Sequence, residues 1–303
     1  MIEGQEGVTW PQWQAIAAAC EQNGVGSLFR SDHYLPLDGH EERPVLDAWG
    51  TICALAATTT TLRLGTLVSP ATFRHPANLA KLAVTADQVS GGRVSLGLGA
   101  GWHAREHEAF GFPFGSTRER MDVFAEQLEI VRGLWSSREP LRFEGAHYRV
   151  GPVDPRPKPQ APWLIVGGSA GPRSAALAAR FADEYNTVFA TPDECRRRRA
   201  AVERAWRDAG RSDLRFSVMI GAVLGRDRAE AAERARAIGE RTGQPGFAPP
   251  DGWIKGTPDE AAEQLRRLGD AGVDRVMLQL LLHEDTAQIE FIGRELAPAV
   301  AGG

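Results

Sequence analysis

Asp32-His33 is the pair whose residue types most directly suggest chemistry. Histidine titrates near neutrality, and an adjacent carboxylate can orient its ring or raise its pKa, so the pair is a candidate general acid/base. His103-Ala104-Arg105-Glu106-His107 matches H-x-x-E-H. On a helix it would put two imidazoles on one face beside a carboxylate base, the arrangement of a zinc hydrolase. The competing reading is a polar first turn with Glu106 near the positive helix end, and no metal is assigned on this basis. Gly97-Leu98-Gly99-Ala100-Gly101 approaches a dinucleotide fingerprint but reads G-x-G-x-G, and no acidic residue ends a strand about 20 positions later. Small residues there let a flat ring or a ribityl chain lie against backbone. Gly167-Gly168-Ser169-Ala170-Gly171 separates a strand from a helix opening at Pro172. It is either a phosphate cradle, with free N–H groups at the helix start, or a tight turn.

These clusters fall at the ends of regularly alternating elements. Helices are predicted over 9–23, 46–58, 76–90, 116–135, 172–182, 192–209, 227–242, 257 onward and 286–300. Strands are predicted over 25–31, 62–68, 93–98, 163–166, 184–189, 214–223 and 273–280. Two copies of Thr-Pro-Asp-Glu, at 191–194 and 257–260, each offer a Thr N-cap, Pro at the first helical position and Glu three residues after the cap. The Pro-rich stretch 138–161 lacks a strong period and is read as an excursion, with a small hairpin around Arg142–Val150. A second Gly/Pro-rich insertion covers about 243–256.

Strand-then-helix alternation means parallel strands with crossover helices. Seven strands follow the first helix, and Met1-Ile2-Glu3 supplies only a stub for an eighth. The expected fold is therefore α/β, a single (β/α)8 barrel over 1–303 with insertions; an open doubly wound sheet is the competitor. In a parallel barrel the active site lies at the C-terminal strand ends, where the clusters above sit.

Composition is ordinary for a globular chain: 303 residues, net charge −4 and 24% charged residues. A pI near 6.0 gives no footprint for nucleic acid. No apolar run approaches the ~18 residues of a membrane span, and no signal peptide is read at the start. Three scattered cysteines, Cys20, Cys53 and Cys195, fit a reducing compartment, so a cytoplasmic location is expected. Lysine occurs only at 81, 158 and 255.

The strand exits carry, in order, Ser27-Leu28-Phe29-Arg30-Ser31-Asp32-His33-Tyr34, Leu64-Gly65-Thr66-Leu67-Val68-Ser69-Pro70 with Arg74-His75-Pro76, Ser90-Gly91-Gly92-Arg93-Val94 with Gly97–Trp102, and Val166-Gly167-Gly168-Ser169 with Pro172-Arg173. Together these blocks resemble the luciferase-like monooxygenase superfamily. The wording is most similar to the branch dependent on the deazaflavin coenzyme F420, with FMN as the alternative cofactor. The resemblance implies a non-prolyl cis peptide at Leu67-Val68 backing the cofactor ring. It implies Ala100 and Gly101 bordering the ring, and Gly167, Gly168 and Ser169 holding the phosphate. His33 would face substrate over the ring, with Asp32 orienting it. The implied reaction is hydride transfer between F420 and a small organic substrate. The alternatives are an FMN-dependent monooxygenase using oxygen and a non-catalytic flavin-binding relative. Dimerisation is also expected. In the sugar-phosphate dehydrogenase members an acidic residue stands where this chain has Trp102, and an aromatic one where it has Leu37. Those two residues are assigned to the substrate pocket, which is expected to be apolar.

Overall fold

The computed structural model describes residues 1–37 and 39–301. Seven parallel strands form a continuous curved sheet in the order Ser27–Arg30, Arg63–Thr66, Val94–Gly99, Leu164–Gly167, Glu184–Val188, Arg215–Leu224 and Arg275–Gln279. Ile2 closes the ring by bridging in parallel to both Arg30 and Leu280. The short first segment is thus the first of eight staves in chain order. The Met1 amino group donates to Leu278 O at 2.8 Å, and Leu280 N to Met1 O at 3.1 Å. This is the (β/α)8 barrel, and the ring closure excludes the open doubly wound sheet.

Local sequence explains most element boundaries. Pro76 opens and Gly91, at φ 70°, closes the helix Pro76–Ser90, with the His75 imidazole accepting from Ala77 N at its start. Gly91 must adopt a left-handed conformation that a Cβ disfavours. Both Thr-Pro-Asp-Glu copies form reciprocal capping boxes, opening Pro192–Asp208 and Pro258–Asp270. The Pro-rich excursion contains an antiparallel hairpin, Leu141–Glu144 with Arg149–Val153. In the second insertion, Ile254–Gly256 adds a short strand beside Arg215–Leu224 that the sequence pattern did not reveal.

The helices form the outer layer, and their apolar faces meet the outward faces of the strands. Trp13, Trp49, Phe124, Phe216 and Phe291 are fully buried there. Inside the barrel a smaller apolar group of Phe29, Leu67, Ile165, Met219 and Met277 fills the lower layer. The non-prolyl cis peptide that the resemblance implies at Leu67-Val68 is present, and it interrupts the third stave, which stops at Thr66 and resumes as Ser69–Pro70. The last helix is broken by a π turn at Ile292–Leu296. Among the described residues no helix is long and apolar enough to cross a membrane. Cys20, Cys53 and Cys195 are free.

Candidate active site

The C-terminal ends of the staves surround a cavity of about 730 Å3, a size usual for small-molecule sites. One side is made by Val68, Gly99, Ala100, Gly101, Gly167 and Gly168. The glycines are required by packing. A Cβ on Gly99 would lie 2.7 Å from Val68 Cγ2, and one on Gly167 would lie 3.0 Å from Val68 Cγ1. Val68 can therefore project into the barrel mouth only because the next two staves are bare there. The result is a smooth surface with little side-chain relief.

His33 lines the same cavity. Its Nδ1 lies 2.8 Å from Glu106 Oε2, and Glu106 is fully buried. The other Glu106 oxygen accepts the N–H groups of Tyr34 and Leu35. Three donors on one buried carboxylate keep it ionised. Burial alone would raise its pKa, but the His33 and backbone hydrogen bonds outweigh that and hold it below the usual 4.5. The converse holds for His33. Burial opposes its charged form, yet the Glu106 hydrogen bond and charge prevail and raise it above 6.5. With Nδ1 bonded to Glu106, Nε2 is left for the cavity. The Trp102 ring stands nearly perpendicular to the imidazole at 5.7 Å between centroids.

Asp32 does not orient His33, which corrects the expectation from sequence. Neighbours in an extended segment point to opposite sides. His33 turns into the cavity, and Asp32 turns behind it. There Asp32 Oδ2 accepts from Ser69 Oγ at 2.6 Å and from Arg74 Nη1 at 2.6 Å. Ser69 Oγ in turn accepts the Trp49 indole N–H at 3.0 Å. Arg74 also bonds Tyr34 Oη and Asp47. Asp32 is thus the buried anchor of the loop that carries His33.

The H-x-x-E-H residues serve packing and this same hydrogen bonding. His107 is buried, with Nε2 2.6 Å from Thr72 Oγ1 and Nδ1 2.7 Å from His103 O. Glu106 serves His33, and His103 packs edge-on to Trp102. The helix Ala104–Phe110 that carries them was read from sequence only as a first turn.

Of the other assigned residues, Leu67, Val68, Ala100, Gly101, Gly167, Gly168, Trp102 and Leu37 all line the cavity. Ser169 is on the same turn as Gly168 but exposed at the rim, outside that lining. The turn is braced by Tyr185, whose hydroxyl receives the Ala170 N–H at 2.7 Å. The helix Pro172–Phe181 begins just beyond, and no side chain caps its N-terminus. Its first amides remain available to an anion near Gly168 and Ser169. The residues therefore fit a flat ring against the glycine side and a phosphate at the rim.

Sequence reasoning missed the wall opposite. Glu3 and Gln5 form its floor with Gln279, which donates to Glu3 Oε1 at 2.6 Å. Phe189, Arg241 and His283 complete it. Glu3 and Gln5 follow the first stave, so their position marks them as strand-exit residues, but sequence reasoning gives them no role. Phe189 adopts φ 46°, a conformation no sequence pattern announces for a bulky residue.

Comparison with known proteins places this geometry in a family. A solved F420-dependent secondary alcohol dehydrogenase, in complex with an F420-acetone adduct, superposes with a TM-score of 0.82. The alignment covers 97% of this chain and 96% of that one, at 23% identity, and is a likeness of fold. An F420-dependent hydroxymycolic acid dehydrogenase of Mycobacterium tuberculosis is 34% identical over 56% of this chain and 47% of its own length. The match thus spans about half of that relative. An FMNH2-dependent dimethylsulfone monooxygenase of Pseudomonas fluorescens is 29% identical over 82% of this chain and 76% of its own. The family model for luciferase-like monooxygenases matches residues 2–251, and the chain belongs to that family.

Proposed function

We propose that the protein is an F420-dependent oxidoreductase that exchanges a hydride and a proton with a small organic substrate. The observation that carries this reading is the placement of His33. Its ring is fixed by a buried carboxylate and opens onto a cavity whose facing side is bare backbone and Val68. Relatives named for F420 chemistry support the choice of cofactor.

Val68, Gly99, Ala100, Gly101 and Gly167 would hold the ring, and Gly168, Ser169 and the start of the helix Pro172–Phe181 its phosphate. The deazaflavin, when bound, supplies a carbon that gives or takes a hydride. The protein's own contribution is positioning and proton transfer. Glu106 fixes which His33 nitrogen faces the cavity and stabilises the protonated ring. His33 Nε2 then gives a proton to a substrate oxygen in the reducing direction and takes it back in the oxidising one. Trp102 and Leu37 border the space beside it.

The test is an anaerobic mixture of the protein, reduced F420 and a panel of carbonyl compounds. Recovery of oxidised deazaflavin without oxygen supports the proposal. Turnover seen only with reduced FMN and oxygen would replace it with the monooxygenase reading, which the dimethylsulfone monooxygenase relative favours.

A further inference from the structure

Exposed large apolar side chains are concentrated at the cavity mouth. Eight such side chains occur among the described residues, and four of them, Leu37, Trp102, Val188 and Phe189, line this one cavity. Trp102 is 63% exposed. A cluster of this kind at the rim of a concave site marks a surface meant to be covered.

The cluster is also held in place. Phe189 keeps its left-handed backbone while its N–H donates to Met219 O at 2.9 Å. Its ring stacks on Trp253 at 6.4 Å and 14°. Trp253 itself lies on bare backbone, since a Cβ at Gly221 would run into the indole. A bulky residue at positive φ costs energy and persists where the surroundings enforce it. Here they present an aromatic face to the mouth.

Among the described residues, the arginines and carboxylates of the cavity are already engaged. Arg43 pairs with Glu6 at 2.8 Å and also donates to Arg241 O. Arg241 pairs with Glu284 at 3.2 Å and donates to Glu6 O. Glu3 is engaged by Gln5 and Gln279. His283 is held well below its ordinary pKa by burial and by the Arg241 charge, so it is neutral near pH 7. No lysine lines the cavity. Apart from His33, whose charge is already shared with Glu106, an anionic substrate group would have to break an existing pair to find a counter-charge.

We infer that the site takes an uncharged, elongated, largely apolar alcohol or carbonyl compound, whose chain lies between the Leu37/Trp102 and Val188/Phe189 sides of the mouth while its oxygen meets His33. This rests on the hydride-transfer reading above. The alcohol and carbonyl forms differ by one hydride, exchanged with the deazaflavin, and one proton, exchanged with His33 Nε2.

The test uses the homologous 2-alkanones from acetone to 2-octanone, with glucose 6-phosphate as the anionic comparison. Binding is measured by calorimetric titration of the protein with and without F420, and turnover by oxidation of reduced F420. Each methylene that enters the mouth should tighten binding about fourfold. Phe189→Ala and Trp102→Ala should each flatten that dependence, with circular dichroism confirming the fold. A flat series in the wild-type protein, or tighter binding of glucose 6-phosphate than of 2-octanone, overturns the inference. A steep binding series with no oxidation of reduced F420 leaves the substrate class standing and refutes the hydride-transfer reading instead.

Discussion

Glu106 Oε2 lies 2.8 Å from His33 Nδ1 although the two residues are 73 positions apart. Nothing on the strand carrying His33 supplies this contact. It exists because the short helix Ala104–Phe110 packs against the loop after the second stave and delivers a buried carboxylate to it. The pair sets the tautomer and the charge of the one imidazole that faces the cavity from that loop.

Replacing His33 with Ala should leave cofactor affinity close to wild type and lower turnover by roughly 10²–10⁴-fold, the usual share of general acid/base catalysis. Cofactor fluorescence titration and steady-state rates on the same preparation separate the two effects. Unchanged turnover would remove His33 from the reaction.

Glu106→Gln should move the His33 ionisation seen in the pH–rate profile toward lower pH, because the charge that raises it is gone. The stability effect has a defined window. His33 is raised, so its contribution is complete below its ordinary 6.5 and fades as pH rises through the folded value. Glu106 is depressed, so its contribution is present above 4.5 and fades as pH falls through the folded value. The difference in urea stability between wild type and variant should therefore peak between those two values and shrink on both sides. A difference that does not vary with pH would contradict the pairing.

Asp32→Ala should act on stability first. It leaves Arg74, whose side chain is 10% exposed, with Tyr34 and the half-exposed Asp47 but without its buried carboxylate. Breaking a buried pair from one side costs about 3–5 kcal/mol, and the remaining Asp47 pair should keep the loss at or below the lower end of that range. Urea unfolding gives the value, and a loss below about 1 kcal/mol would show that the Asp32 network carries little. Asp32→Asn, which keeps a partner for Ser69, should lose less.

Gly99→Val should weaken cofactor binding by roughly tenfold, equivalent to about 1.4 kcal/mol, because even its Cβ meets Val68 at 2.7 Å and pushes that side chain into the cavity. Adding Val68→Ala should recover part of the affinity. If the single variant binds as wild type does, the ring does not rest on this surface.

Much of the barrel was legible because its signals are local. Pro76 and Gly91 bracket one helix, and the two Thr-Pro-Asp-Glu copies start two others. The first stave was visible only as the stub at Ile2, and it completes the ring through two bridges. The glycine turns and His33 were legible as strand-exit residues. The carboxylate partner was not, since sequence adjacency favoured Asp32 while strand alternation turned Asp32 away from His33. Ionic and aromatic partners such as Arg74 with Asp32, or Trp253 under Phe189, come from distant segments and are decided by packing. Ile254–Gly256 was hidden for a related reason: three residues are too few to show a period.

If the bare side of the cavity seats a deazaflavin, parallel fluorescence titrations of the purified protein with F420 and with FMN will separate the two cofactors. Saturable quenching by F420 at micromolar concentration is expected, with at least tenfold weaker binding of FMN, a margin of about 1.4 kcal/mol. Binding of neither cofactor, or a preference for FMN, would contradict a deazaflavin seat there.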